Sequence, residues 1–195
     1  MTASDTHNPQ RSKERVLDTA LQLFTARGYF NTSLQDIRKA SGVSIGSIYH
    51  HFQNKEHLAQ ALYHDLLDRF EASVRLITEN YSDCRERCHA VMQDMFDSAE
   101  QQPEMMVFIL YARHREFMPN ERTICSAKPF ELTRAFIEQG MECGEIRRMD
   151  TWVAASALFG GAVRIIQLHL DGALPKPLHT YFDETWEAGW RAVAV

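Results

Sequence analysis

Between Leu34 and Lys55 two helix-forming runs are separated only by Gly42-Val43-Ser44, and this spacing limits the fold more than any other feature of the chain. A run from Leu34 to Ser41 meets glycine at the position where a helix ends in a left-handed residue, a conformation open to glycine without a Cβ penalty. Ser44 then offers its hydroxyl to the unpaired amides of the next helix. In that short helix Ile48 and Phe52 lie four apart on one buried face. The other face is predicted to show Ile45, Gly46, Ser47, Tyr49, His50 and His51, short or flat side chains near the beginning of a helix. A helix-turn-helix presents such residues to base edges.

Ser33 precedes Leu34-Gln35-Asp36, so the first of the two helices opens with a serine cap and an acid three residues later, a variant of the capping box. Gly28-Tyr29-Phe30 lies upstream and Asn54-Lys55-Glu56-His57-Leu58 downstream. From about Arg11 to Leu58, and above all through Thr32-Ser33-Leu34-x-x-Ile37 and Gly42-Val43-Ser44-x-Gly46-x-Ile48-Tyr49-x-His51-Phe52-x-Asn54-Lys55, the chain resembles the TetR family of bacterial transcriptional regulators. The resemblance covers roughly the first third of the sequence. Arg38 and Ser41 depart from it, standing where the family usually has alanine; Arg38 must snorkel to the surface or reach a phosphate. The resemblance implies that Ser33, Gln35, Tyr49, His50 and Lys55 contact phosphates or flanking bases. It places Ile45, Gly46 and Ser47 nearest the base edges, with Ser44 as the cap among them.

The 195 residues carry a net charge of −5, which argues against a general nucleic-acid coat. The distribution points the other way: residues 1–58 hold seven Lys or Arg against five Asp or Glu, whereas residues 59–195 hold 14 against 21. Only the amino-terminal part suits phosphates, and so modest an excess requires a few placed contacts and a doubled site. Cys84, Cys88, Cys125 and Cys143 follow no disulfide framework. Met1 to Gln10 reads as a polar flexible arm without the apolar stretch of a signal peptide. The longest apolar run, Val153 to Val163, is shorter than a bilayer span, so a cytoplasmic protein is expected.

The periodicity predicts an all-α chain of two domains, residues 1–58 and 59–195. Arg11 to Ala26 carries Val16, Leu17, Ala20, Leu21 and Phe24 at helical spacing, and Gly28 ends that helix. A long helix without Gly or Pro runs from Lys55 to about Tyr81 and joins the two parts. Further helices are predicted from Ser82-Asp83 to Glu100, from Pro103 to Pro119-Asn120, from Pro129 to Cys143, from Trp152 behind an Asp150-Thr151 cap to Leu170, and from Leu178 to Ala192.

The second part holds a dense apolar set, Met92, Met95, Phe96, Met105, Met106, Phe108, Tyr111, Phe117 and Met118, which is either core or the lining of a small-molecule pocket. The resemblance implies such a pocket, with Met92, Phe96, Phe108, Tyr111 and His114 as its candidate residues. A small-residue face containing Ala157, Gly160 and Gly161, with Trp186 and Trp190 supplying area, is the candidate homodimer interface. Cys84 and Cys88 share a helical face beside His89, but their spacing is not that of a zinc site, and no metal or cofactor is expected. There is no G-x-S-x-G, P-loop, H-E-x-x-H or dinucleotide fingerprint, so no enzyme is expected. The chain reads as a ligand-responsive regulator, most simply a repressor released from a palindromic operator by a small-molecule inducer. The alternatives are redox response through Cys84 and Cys88, or a helical interaction protein that does not bind DNA.

Overall fold

The computed structural model describes residues 9–121 and 124–195. Among these residues there are ten α-helices: α1 (Pro9–Arg27), α2 (Leu34–Ser41), α3 (Ile45–His51), α4 (Lys55–Asn80), α5 (Cys84–Gln101), α6 (Pro103–Tyr111), α7 (His114–Phe117), α8 (Lys128–Cys143), α9 (Thr151–Leu170) and α10 (Phe182–Val193). Short 3₁₀ turns cover Ile124–Ser126 and Leu178–Tyr181. The one β feature among the described residues is an isolated antiparallel bridge between Ile146 and Ala194. Most of the expected amino-terminal arm, Met1 to Asn8, lies outside the described residues. Pro9 and Gln10, expected to belong to that arm, instead open α1, because the first helical position leaves its N–H unused and tolerates proline.

The chain forms two compact units, one ending at Leu66 and taking in Val107–Glu121, the other built from Leu67–Met106 and the carboxy-terminal remainder. In the first, Val16, Ala20 and Phe24 of α1 pack with Ile37 of α2 and Ile48 of α3, joined by Val43, Phe52, Leu58 and Leu62; all are buried. Thr32 is buried too, and its hydroxyl donates to the Gly28 carbonyl at 3.0 Å.

The Pro103 to Pro119 stretch, expected as one helix, is two. Arg113 adopts φ −81°, ψ 70°, and the His114 amide donates to the Ala112 carbonyl at 2.9 Å, the geometry of an inverse γ-turn. No glycine or proline marks this turn, which is why periodicity runs through it. The last helix likewise begins at Phe182, after a 3₁₀ turn, rather than at Leu178.

In the second unit α9 buries Ala154, Leu158, Ala162 and Ile166 along one stripe. Gly189 lets α10 approach so closely that a Cβ there would overlap the Leu158 carbonyl oxygen. On α8, Gly140 does the same for α5, since a Cβ would meet Cys84 Sγ at 2.6 Å. The Glu145 carboxylate accepts from the Cys84 and Arg85 amides at 3.3 and 3.2 Å and so caps α5 together with Asp83. By length and composition α9, 20 residues with a stretch of 18 at a mean hydropathy of 1.4, is apolar enough to cross a membrane. The expectation that no segment reaches this length counted only the unbroken apolar run and missed the helix as a whole.

Candidate nucleic-acid interface and ligand cavity

The two short helices are fixed by their caps. Ser33 and Asp36 form a complete capping box: the Asp36 amide donates to Ser33 Oγ at 3.1 Å, and the Ser33 amide donates to Asp36 Oδ2 at 2.9 Å. The Ser33 hydroxyl donates to the same carboxylate oxygen, and this bond holds the Asp36 carboxyl below its ordinary pKa. Gly42 ends α2 at φ 69°. Ser44 then accepts from the Ser47 amide at 3.1 Å and opens α3.

Inward, α3 buries Ile48, with Phe52 just beyond its end; outward, it exposes Gly46, Tyr49 and His50, with Ile45 and Ser47 half-buried. Tyr49 is 55% exposed, although a large aromatic ring gains nothing from water, so this ring is free for a partner. His51 does not join that face. It is half-buried with Nε2 enclosed, and burial first, then the neighbouring His50 and Lys13 charges, depress its pKa. On α2, Arg38 Nε donates to Gln35 Oε1 at 2.8 Å. Arg38 is thereby accommodated at the surface, and the Gln35 amide group is left pointing its donors elsewhere.

Asn54 caps α4 by accepting from the His57 amide at 2.7 Å, which sets Lys55 at the first position of that helix. Lys55 Nζ donates to the Tyr29 carbonyl at 3.0 Å and stands 4.2 Å from the centre of the Tyr29 ring. Burial pushes the Lys55 ammonium below the usual lysine pKa and the Tyr29 phenol above its own, the Glu56 charge adding to the latter. The ammonium borders the same surface hollow as Ser33 and Asn31. Tyr29 thus anchors Lys55, a contact that Gly28-Tyr29-Phe30 marked only as part of a motif.

A cavity of about 300 Å³ in the first unit is walled by six aromatic residues, Phe24, Tyr29, Phe30, Phe108, Tyr111 and Phe117. Two of the candidate ligand residues, Phe108 and Tyr111, are therefore together on one wall. His114 packs behind it, its ring 5.0 Å from those of both Tyr63 and Phe108. The His114 Nε2 is enclosed without a hydrogen-bond partner, and burial depresses the pKa of the ring. Met92 and Phe96 are elsewhere, in the core of the second unit and 0% and 2% exposed.

Of the candidate dimer residues, Ala157, Gly160 and Gly161 are exposed on α9, continuous with Trp152 and Val153, which are 51% and 59% exposed. Trp190 is half-buried and stacks on Trp186 at 5.4 Å. Trp186 itself is turned into its own chain against His89 and has no area to offer a second copy. Cys84 and Cys88 are buried, their sulfurs 3.8 Å apart. The hydrogen bond shared with the Cys84 thiol, then burial, hold Cys88 well above the ordinary thiol pKa, the reverse of what a reactive thiolate requires.

The family model described as bacterial regulatory proteins, tetR family, matches residues 16–62, and that described as tetracyclin repressor-like, C-terminal domain, matches residues 63–195. The HTH-type transcriptional repressor KstR2 of Rhodococcus jostii is 28% identical over 149 residues, covering 74% of this chain and 72% of that protein. Among solved structures, a TetR family transcription regulator from Marinobacter aquaeolei is similar with a TM-score of 0.80 at 20% identity, over 95% of this chain and 98% of that one. The transcriptional regulator FadR from Bacillus subtilis, solved with stearoyl-CoA, is similar with a TM-score of 0.79 at 18% identity, over 92% of this chain and 98% of that one.

Proposed function

The chain belongs to the TetR family of bacterial regulatory proteins, and from that premise we propose that it is a transcriptional repressor that binds a palindromic operator as a homodimer and leaves it when a small molecule binds. The observation that carries this reading is the doubly capped α2-turn-α3 unit, whose outer face, Gly46, Tyr49 and His50, is exposed. A helix of seven residues exposes little surface, so two copies are needed to reach useful affinity and to read both half-sites, one turn of DNA or a multiple apart.

Within each half-site Ile45, Gly46 and Ser47 approach the base edges. Tyr49 and His50 take phosphates or flanking bases, and Gln35 offers the amide donors that Arg38 leaves free. Ser33 contributes chiefly by holding α2 in place, because its amide and hydroxyl protons are both spent on Asp36. Lys55 lends its charge from the rim of the hollow. The two copies meet through the exposed face of α9 around Ala157, Gly160 and Gly161, with Trp190 of α10 at its edge, and the protein works in the cytoplasm.

The inducer is a small molecule with a substantial apolar part. The aromatic cavity supports this, as does stearoyl-CoA in the similar FadR. For release, the inducer must bind better to a state that fits the operator poorly, since equal affinity for both states shifts nothing. Helix α4 offers a lever: its 26 residues span about 39 Å at ~1.5 Å per residue, so a tilt of about 5° about its far end moves Lys55 by roughly 3 Å.

Selection from a random-sequence DNA library with the purified chain should enrich an inverted repeat, and compounds that raise its melting temperature should lower its affinity for that repeat. Enrichment of no sequence, with tight binding to another protein instead, would mean that the chain is a helical interaction protein.

A further inference from the structure

The aromatic cavity and the DNA-facing lysine share one residue. Tyr29 stacks on Phe117, ring centres 4.2 Å apart and planes 16° from parallel, and both rings wall the cavity. The same Tyr29 holds Lys55 through its carbonyl and its ring. Its carbonyl also accepts from the Thr32 amide at 3.2 Å, one residue before the cap of α2. Whatever moves Tyr29 therefore moves the anchor of Lys55 and the turn that leads into Ser33.

We propose that this cavity is an effector site for a small, flat, neutral ring compound, and that its occupant acts on the operator-binding face by shifting Tyr29 off Phe117 and so loosening Lys55. The class of ligand follows from the walls. Six of the twelve residues that line the space are aromatic, presenting ring faces and edges that reward another ring in offset or edge-on contact. The volume of about 300 Å³ lies at the small end of ligand sites. The two charged residues at the cavity, Arg113 and Glu116, are paired with each other at 3.0 Å, so the rim carries no net charge to recruit an anion or a cation.

A ring inserted between Tyr29 and Phe117 competes with Tyr29 for the face of Phe117. The state with Tyr29 displaced gains the stacking of the ligand and loses the Lys55 anchor, while the operator-bound state keeps both the anchor and the empty cavity. Ligand and operator thus favour different positions of one residue, and each must weaken the other by the same factor. The coupling, though not the cavity, rests on the reading of the chain as a ligand-responsive DNA-binding regulator.

The test uses the full chain, 2-naphthol as the ring probe and 1-octanol as the straight-chain control, with binding followed by calorimetry. 2-Naphthol should bind at one site per chain and more tightly than 1-octanol. It should weaken binding to the selected operator by about fivefold or more, the usual range of such coupling, and saturating operator should weaken naphthol binding by the same factor. Ala112→Phe and Val107→Phe each fill the cavity from a different helix position; whichever keeps the helical circular dichroism spectrum of the wild type should lose naphthol binding and keep its operator affinity. Tyr29→Leu should still bind naphthol but bring the coupling close to one. Unchanged naphthol binding in the filled variants overturns the site, and equal binding of 1-octanol overturns the ligand class. Full coupling in Tyr29→Leu overturns the route through Tyr29. A chain that binds no DNA overturns the regulator reading and the coupling with it, and the naphthol titrations of the wild type and filled variants then decide the cavity alone.

Discussion

Lys55 and Tyr29, 26 positions apart in the chain, are joined twice, by a 3.0 Å hydrogen bond from the ammonium to the backbone carbonyl and by the placement of that ammonium 4.2 Å from the ring centre. A lysine so engaged is a structural residue as well as a source of charge. Lys55→Ala is expected to lower folding stability by about 1–2 kcal/mol, the range of one charge-assisted hydrogen bond with a partly exposed cation–π contact. It should also lower the salt slope of operator binding by about one per half-site, with similar losses on all sequences. Urea denaturation reads the first effect and a salt titration the second; an unchanged slope removes Lys55 from the DNA contacts.

The helix-turn-helix was legible because every signal in it is local. Gly42, Ser44, Ile48 and Phe52, each no more than four positions from the next, declare a cap, a turn or a buried face, and the structure keeps all four in those roles. What pattern could not reach depends on pairs remote in sequence. Nothing near Lys55 points to Tyr29, and the cavity draws its rings from the end of α1, from the turn that follows it, from α6 and from α7. The γ-turn at Arg113 is set by backbone angles that any residue adopts. Trp186 and Trp190 both suit a helix face, and only the packing of α10 against His89 sends Trp186 inward. Likewise the helical pattern turns His51 outward with its neighbours, whereas the fold half-buries it and encloses Nε2.

Burial of His114 makes the folded state prefer the neutral ring. A histidine whose folded pKa is depressed leaves stability intact above its unfolded value, about 6.5, and removes it as the pH falls from there toward the folded value, because the unfolded chain binds the proton more readily. His114→Phe keeps an aromatic ring among Tyr63, Phe108 and Phe117 without the titrating nitrogen. The difference in unfolding free energy between pH 7.5 and pH 5.5 should shrink in this variant, with His51, depressed in the same direction, accounting for part of what is left. An undiminished difference would show that His114 charges freely in the folded protein.

The thiols should separate by burial. Cys143 is exposed, whereas Cys84 and Cys88 are enclosed, and Cys88 is held in its unreactive protonated form. Brief treatment of the native chain with iodoacetamide, followed by peptide mass mapping, is expected to modify Cys143 and to leave Cys84 and Cys88 untouched until denaturant is added. Rapid native labelling of Cys84 or Cys88 would restore the case for a redox response through this pair.

Two glycines at helix surfaces of the second unit should respond in opposite ways to added bulk. Gly189 faces the Leu158 carbonyl, which belongs to the backbone of α9 and has nowhere to go, so Gly189→Ala should destabilise the chain by about 1–3 kcal/mol through overpacking. Gly161 has its nearest neighbour, Thr185 Cγ2, at an ordinary 3.8 Å. Gly161→Ala is therefore expected to gain up to about 1 kcal/mol of helix propensity within the chain. The exposed side of α9 is also where a second copy is placed, and there close backbone approach depends on small residues. Gly161→Glu should keep the fold, because the position is exposed, but bring a buried and unpaired carboxylate into the interface with its symmetry mate, a cost of several kcal/mol. Light scattering should then report a monomer, and operator affinity should fall with the loss of the paired half-site. A Gly161→Glu protein that is folded, dimeric and fully competent for the operator would move the interface away from this face of α9.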